Sequence, residues 1–241
     1  MFGFLVNIFD VLLYKPLFNS LVVLYNCIPG HDFGIAIILL TLIIRFLLYP
    51  LSVKAINSQK ALQKLQPKVQ EIQKKYKDDK ERQAKEMLVL YKTEKINPFS
   101  GLFLAIVQLP ILIALYRVFW LGLNPNELSN LYQFVSNPGQ INALFLGMID
   151  LSKSNLVLAV FAGILQFFQT KMLMPQKSSL PAGKSPDFSQ LMQTQMLYFF
   201  PVLTIIILFS LPSALGLYWT ASGAFSIVQQ YFLLKKNDNP R

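Results

Sequence analysis

Four apolar runs, each at least as long as a bilayer is thick, constrain this chain more than any other feature. A helix rises 1.5 Å per residue, so about 20 apolar residues cross a hydrocarbon core of about 30 Å. Phe33–Val53, Phe99–Leu121 and Asn155–Met174 each meet that length. Met196–Leu234 is too long for one crossing and is interrupted by LPSALG. Proline and glycine there free backbone groups that hydrocarbon cannot satisfy. The run therefore reads as two spans, near 192–211 and 213–234, joined by a tight turn. The expected fold is an all-α integral membrane bundle of five transmembrane helices. Hydrophobic residues make up 54% of the chain, too many for a soluble domain.

Loop charges set the expected orientation. Segment 54–98 holds eleven lysines and Arg82, the loop 175–191 holds Lys177 and Lys184, and the tail holds Lys235, Lys236 and Arg241. The loop 123–154 holds only Lys153. The first two loops named and the C-terminus are expected in the cytoplasm, and the N-terminus outside. Residues 1–30 are apolar but broken by Asn7, Asp10, Lys15, Pro16 and Asn19, and are expected as an amphipathic helix lying in the outer interface rather than a sixth span. Lys15 is the first basic residue, so no cleavable secretory signal is expected. The division is then 1–30 interfacial helix, 31–53 first span, 54–98 cytoplasmic helical hairpin, 99–234 the remaining four spans, and 235–241 a short basic tail.

Within 54–98, Leu62, Leu65, Val69, Ile72 and Tyr76 follow a 3-4-3-4 spacing. Ala84, Met87, Leu88 and Tyr91 supply a second stripe. Two antiparallel helices joined near Asp78–Asp79 would bury both. The plain reading is a solvated coiled-coil spacer. The sharper one is a docking surface for a targeting factor, a ribosome or anionic lipid headgroups. No motif supports specific nucleic-acid binding.

One charge stands out. Arg45 lies inside ILLTLIIRFLLYPLS, nine residues before Lys54, or roughly 13 Å along a straight helix. Snorkelling over that distance is incomplete. Apart from Arg117 and Lys171 near span ends, the spans carry no other charge and no acid. Arg45 is therefore expected to face a hydrated cavity. Thr41 shares its helix face. Gln108, Gln166, Gln169, Ser222 and Gln229 are polar residues of other spans that could line the same cavity. Each glutamine taken singly is more simply an interhelical hydrogen-bonding residue. Tyr218 and Trp219 read equally well as an interfacial belt pair or as groove residues. Arg117 is expected to snorkel.

No catalytic constellation is present: the chain has no GxSxG, HExxH, P-loop or paired intramembrane aspartates, and its single histidine (His31) and single cysteine (Cys27) make no triad or metal set. Neither enzyme activity nor a cofactor or metal is expected.

The motifs, in order, resemble the YidC/Oxa1/Alb3 membrane protein insertases, most closely the bacterial YidC core without the large periplasmic domain of Gram-negative relatives. TLIIRFLLYPL is similar to the family's first core span with its arginine, and the charged stretch from LQPKVQEIQ to EKINP resembles its cytoplasmic hairpin. GLFLAIVQLPILIALYRVF resembles the second span, DLSKSN the segment before the third, and FFPVLTIIILFSLPSALGLYW the paired last spans. Ala214 and Gly223 depart from the glycine and asparagine usual at those positions. The resemblance implies a groove open to cytoplasm and lipid and closed outside. Arg45, Thr41, Gln108, Gln166, Gln169, Tyr218 and Trp219 would line it, and Arg45 would draw in the acidic extracellular tail of a single- or double-span client. Implied partners are nascent membrane proteins, the Sec translocon, the signal recognition particle or its receptor, the ribosome and anionic lipids. The implied location is the bacterial plasma membrane.

Two other readings compete. A solute transporter or channel subunit would use Arg45 as an anion site, although no internal repeat is visible. A structural assembly subunit would tolerate an apolar residue at position 45.

Overall fold

The computed structural model describes residues 2–97, 99–121, 125–174 and 188–238. Most of them are helical. The N-terminal segment is one long rod: α1 (Phe2–Phe9), a π-helical turn (Asp10–Tyr14) and α2 (Lys15–Cys27). Lys15 donates to the Asp10 carbonyl five residues back. Pro16 follows immediately, and its missing N–H and bulky ring disfavour a regular α-turn at that place. Asp32 caps α3 (Phe33–Leu47), its Oδ1 accepting from the Ile35 amide at 2.8 Å.

The first span departs from expectation. A straight helix to Val53 is expected, but α3 stops at Leu47 and α4 (Tyr49–Lys75) leaves it at 65°. Pro50 sits in the first turn of α4, where its missing N–H interrupts the ladder. Arg45 thereby lies in the last turn of α3.

Asp79 caps α5 (Lys80–Thr93) by accepting from the Arg82 amide, so the turn falls where Asp78–Asp79 place it. The two stripes do not both bury, however. Leu65 is buried, whereas no residue of α5 is, and Leu88 stays exposed. The apolar face of α4 is taken up chiefly by α6 (Ser100–Leu121). The α4–α5 pair is held by polar links instead: Lys68 to Glu94 at 2.5 Å, and Gln83 Nε2 to the Gln73 carbonyl.

A 3₁₀ turn (Pro125–Asn130) leads to a two-stranded hairpin, β1 (Leu144–Phe145) with β2 (Ile149–Asp150). Three further helices complete the chain: α7 (Leu156–Met172), α8 (Phe188–Phe209) and α9 (Ser213–Asp238). The break between α8 and α9 is at Leu211–Pro212, inside LPSALG.

Packing of α7 against its neighbours depends on glycine. A Cβ on Gly163 would lie 2.5 Å from Ile205 Cγ1 and 3.1 Å from the Pro201 carbonyl oxygen, so α7 and α8 meet only because that position is bare. Gly216 and Gly223 of α9, seven residues apart, face Leu158 and Leu165 of α7, also seven apart. This seam accounts for glycine at position 223: a Cβ there would already sit 3.2 Å from Leu165 Cβ. Part of the apolar core joins the N-terminal helix, α3 and α6, where Phe18, Leu21, Phe33, Ile37, Leu115 and Phe119 are fully buried.

Among the described residues, Val6–Cys27 alone is a single helix both long and apolar enough to cross a membrane. The pair α3 and α4 passes only if its bend is counted within one span. Ile106–Leu121, Leu156–Met172 and Gln195–Phe209 are shorter apolar helices. The Val6–Cys27 rod is fastened along much of its length to the 127–142 loop. Tyr14 donates to Glu127, Asn19 to the Asn130 carbonyl and Asn26 to the Ser136 carbonyl, and the Tyr25 hydroxyl accepts from the Asn142 amide.

Candidate functional site

Arg45 reaches from α3 across to α9. Its Nε donates to Ser222 Oγ at 2.7 Å, and its Nη2 donates to the same oxygen. Ser222 is 4% exposed. Tyr218, one turn earlier on α9 and 3% exposed, brings its hydroxyl against Ser222 and accepts a 2.5 Å hydrogen bond from Gln108 Nε2 of α6. Three helices thus meet at a chain of polar groups, Gln108–Tyr218–Ser222–Arg45. The charge at its end has only neutral oxygens around it. Among the described residues no carboxylate pairs with Arg45.

Two features lower the cost of that charge. The guanidinium hangs from the C-terminal turn of α3, where the helix dipole favours a cation by about 0.3–1 kcal/mol. The serine oxygen adds a charge-assisted hydrogen bond. Thr41, also buried, spends its hydroxyl on the Ile37 carbonyl at 2.6 Å, so it lines the same helix face without reaching the arginine.

A second polar cluster lies between α7, α8 and α9. Gln166 Oε1 accepts from Thr204 Oγ1 at 2.8 Å and from Trp219 Nε1 at 3.2 Å. Trp219 therefore works on the opposite side of α9 from its neighbour Tyr218. Gln169, one turn beyond Gln166, is half-buried and belongs to neither cluster.

Ser226 and Gln230 extend the first cluster beyond Ser222 and Gln229. Ser222, Ser226, Gln229 and Gln230 recur on α9 with a spacing that keeps them on one face, and all are buried. Ser226 donates to the Ser222 carbonyl, and Gln229 Nε2 donates to Ser52 Oγ at 2.6 Å, just past the bend into α4. Gln230 Oε1 is buried without a hydrogen-bond partner. The periodicity was readable in the sequence; the bend that brings Ser52 to it was not. Farther along α4, Gln59, Gln63 and Gln66 line an open cavity of about 310 Å³, with Tyr91, Thr170 and Met196 on its other walls. Arg117 reaches the N-terminal rod: it pairs with Asp10 at 2.5 Å and stacks its guanidinium over the Tyr14 ring at 4.7 Å.

The model of the 60Kd inner membrane protein family matches residues 23–240. The chain is 35% identical to the membrane protein insertase YidC of Fusobacterium nucleatum over 205 residues, 85% of this chain and 87% of that one. The YidC proteins of Magnetococcus marinus and Rickettsia conorii are 34% and 30% identical over 92% of this chain. The matched region is 34% and 39% of those proteins, so the chain spans little more than a third of their length. A family model over almost the whole sequence and a relative matched nearly end to end place the chain in the 60Kd inner membrane protein family, the YidC/Oxa1/Alb3 lineage that its motifs resemble.

Proposed function

We propose that this chain is an inner-membrane insertase. It would take the extracellular tail of a single- or double-span protein into a wet, positively charged groove and release the hydrophobic segment into lipid. The observation that carries this reading is the set of partners around Arg45: a cation in the last turn of α3, held by Ser222, with Tyr218 and Gln108 behind it and no resident carboxylate among the described residues. A cation so placed is kept in position and left electrostatically unpaired. That suits it to attract a passing acidic side chain, and its partners remain satisfied when the visitor leaves.

Water completes the proposal. Leaving Gln230 Oε1 dry and unpaired would cost about 1–3 kcal/mol. A buried polar face running from Ser222 to Gln230 is where bridging water is expected. Through this track the client tail would cross a shortened apolar path. The energy comes from burying the client's own apolar span, roughly 25 cal/mol per Å², with no nucleotide consumed.

In this arrangement α4, α5 and the C-terminal end of α9 face the cytoplasm, and the loop around the β-hairpin faces outside. The rod 2–27 then lies in the outer interface. Its side-by-side hydrogen bonds to the 127–142 loop favour that placement over a crossing. Nascent membrane proteins are the partners. The basic faces of α4 and α5 suit anionic lipid or a ribosome-bound targeting factor.

The test uses purified chain in proteoliposomes and a short Sec-independent client with an acidic tail, scored by protease protection of the tail. Insertion by wild type and Arg45→Lys with loss in Arg45→Ala supports the reading. Flux of small anions without client insertion would replace it with a transporter.

A further inference from the structure

The β-hairpin on the outer loop carries an apolar tip left uncovered among the described residues. Leu146 is 61% exposed and Met148 is 84% exposed. Between Glu127 and Asp150 the sequence contains no charged residue at all. A water-facing turn is normally built from glycine, asparagine and aspartate. Here Leu146 and Gly147 are the two central residues of a turn closed by the Met148 amide on the Phe145 carbonyl, both at positive φ, +51° and +68°. Leucine thus occupies a left-handed position that asparagine or glycine would fill more easily.

Where that tip sits is fixed at three places. The Leu146 amide donates to Asp32 Oδ2 at 2.6 Å, and Asp32 is the cap of α3. Phe145 lies over Gly34 in the first turn of α3, so close that a Cβ there would overlap its ring. On the far side, the Ala214 and Ser213 amides at the start of α9 donate to the Leu151 and Lys153 carbonyls. Three residues after Lys153, α7 begins with exposed Leu156 and Val157. The starts of α3, α7 and α9 therefore meet at the hairpin. In the membrane placement proposed above, these three helix ends mark the outer boundary of the bilayer. Leu146 and Met148 of the tip, like Leu156 and Val157 at the start of α7, are then exposed apolar side chains near that boundary.

We infer that the hairpin tip, Leu146 and Met148, is a lipid-inserting anchor. It dips into the outer-leaflet interface and holds the outer ends of the spans at a fixed depth. The occupant of this surface is the acyl-chain region of the bilayer, not another protein, because the patch is small, uncharged and set where the starts of α3, α7 and α9 meet. The inference rests on the membrane placement but not on insertase activity.

The experiment places single cysteines in the full chain carrying Cys27→Ser: Met148→Cys at the tip, Phe161→Cys on the exposed face of α7, and Lys80→Cys at the start of α5. Each is labelled with an environment-sensitive fluorophore. The proteins are reconstituted into phosphatidylcholine–phosphatidylglycerol vesicles with and without lipid brominated high on the acyl chain. The expected result is blue-shifted emission at 148, loss of most of it to brominated lipid, and protection from iodide, as at 161 and unlike 80. Emission at 148 that matches 80 while 161 is quenched by lipid would overturn the anchor and leave the membrane placement standing. Protection from iodide at 148 without quenching by brominated lipid would overturn it in favour of a covering protein. No lipid quenching at 161 would remove the placement and the anchor together.

Discussion

Ser222→Ala is the most informative single change in the chain. It removes one oxygen and alters side-chain volume little. That oxygen accepts from both Nε and Nη2 of Arg45, and its residue is 4% exposed. A hydrogen bond to a charged group is worth about 1.5–3 kcal/mol, and a buried cation stripped of its acceptor sits at the upper end of that range. If the track from Ser222 to Gln230 is wet, water replaces the lost oxygen and the cost falls to about 0.5–1.5 kcal/mol. A double-mutant cycle separates these contributions. Reversible unfolding in mixed micelles would be followed for wild type, Ser222→Ala, Arg45→Met and the double variant. The coupling expected is about 1 kcal/mol, with Ser222→Thr keeping most of it because the hydroxyl survives. In the insertion assay Ser222→Ala should weaken acidic-tailed clients more than neutral-tailed ones, since the arginine is then free to swing out of place. Strictly additive stabilities would refute the argument: Ser222 would then be a bystander and the arginine held by something else.

Other consequences are as direct. Gly163→Val should cost about 1–3 kcal/mol by forcing α7 off Ile205 and the Pro201 carbonyl, more than Gly223→Ala, whose Cβ only grazes Leu165; unfolding of the two variants side by side checks the order. Gln166→Leu strands the Trp219 indole N–H and the Thr204 hydroxyl, and should destabilise the bundle by about 0.6–1.7 kcal/mol while shifting Trp219 fluorescence. The Ser152 hydroxyl and then the Lys153 ammonium hold the Asp150 carboxyl below its ordinary value of 3.8. A lowered carboxylate stabilises above its ordinary value and loses that contribution as pH falls through the depressed one. The protection factor of the Leu151 amide, bonded to the Ala143 carbonyl, should therefore fall below about pH 4, once the slower intrinsic exchange at low pH is divided out. Asp150→Asn should flatten that response.

Much of the helical layout follows from local signals that a sequence displays. Asn155 and Asp79 cap helices where their side chains can accept from the amide three residues on, and Pro212 breaks the last apolar run. The bend at Leu48 has a visible cause in Pro50, but a proline in the first turn of a helix is also compatible with a straight start, so the angle is set by packing of α4 on α6. That one angle moves Arg45 from the middle of a presumed straight helix to the end of a short one, and it brings Ser52 to Gln229. The pairings that matter for the site are all long-range. Arg45 and Ser222 are 177 residues apart, Gln108 and Tyr218 are 110 apart, and Arg117 and Asp10 are 107 apart. Residue type marked these positions as unusual, but no periodicity links them. The β-hairpin was invisible for a different reason: its strands are two residues long and its turn carries leucine where turn chemistry calls for asparagine or glycine.

The central claim is that the fixed charge of Arg45 acts on the charge of the client's tail. The most direct measurement pairs wild type, Arg45→Lys and Arg45→Met with otherwise identical clients whose tails carry acidic or neutral residues, scoring protected tail in proteoliposomes. The account predicts that Arg45→Met depresses insertion of the acidic tail far more than that of the neutral tail, and that Arg45→Lys restores most of the difference. Equal losses for both tails, or none for either, would contradict it and leave Arg45 as a structural residue that ties α3 to α9.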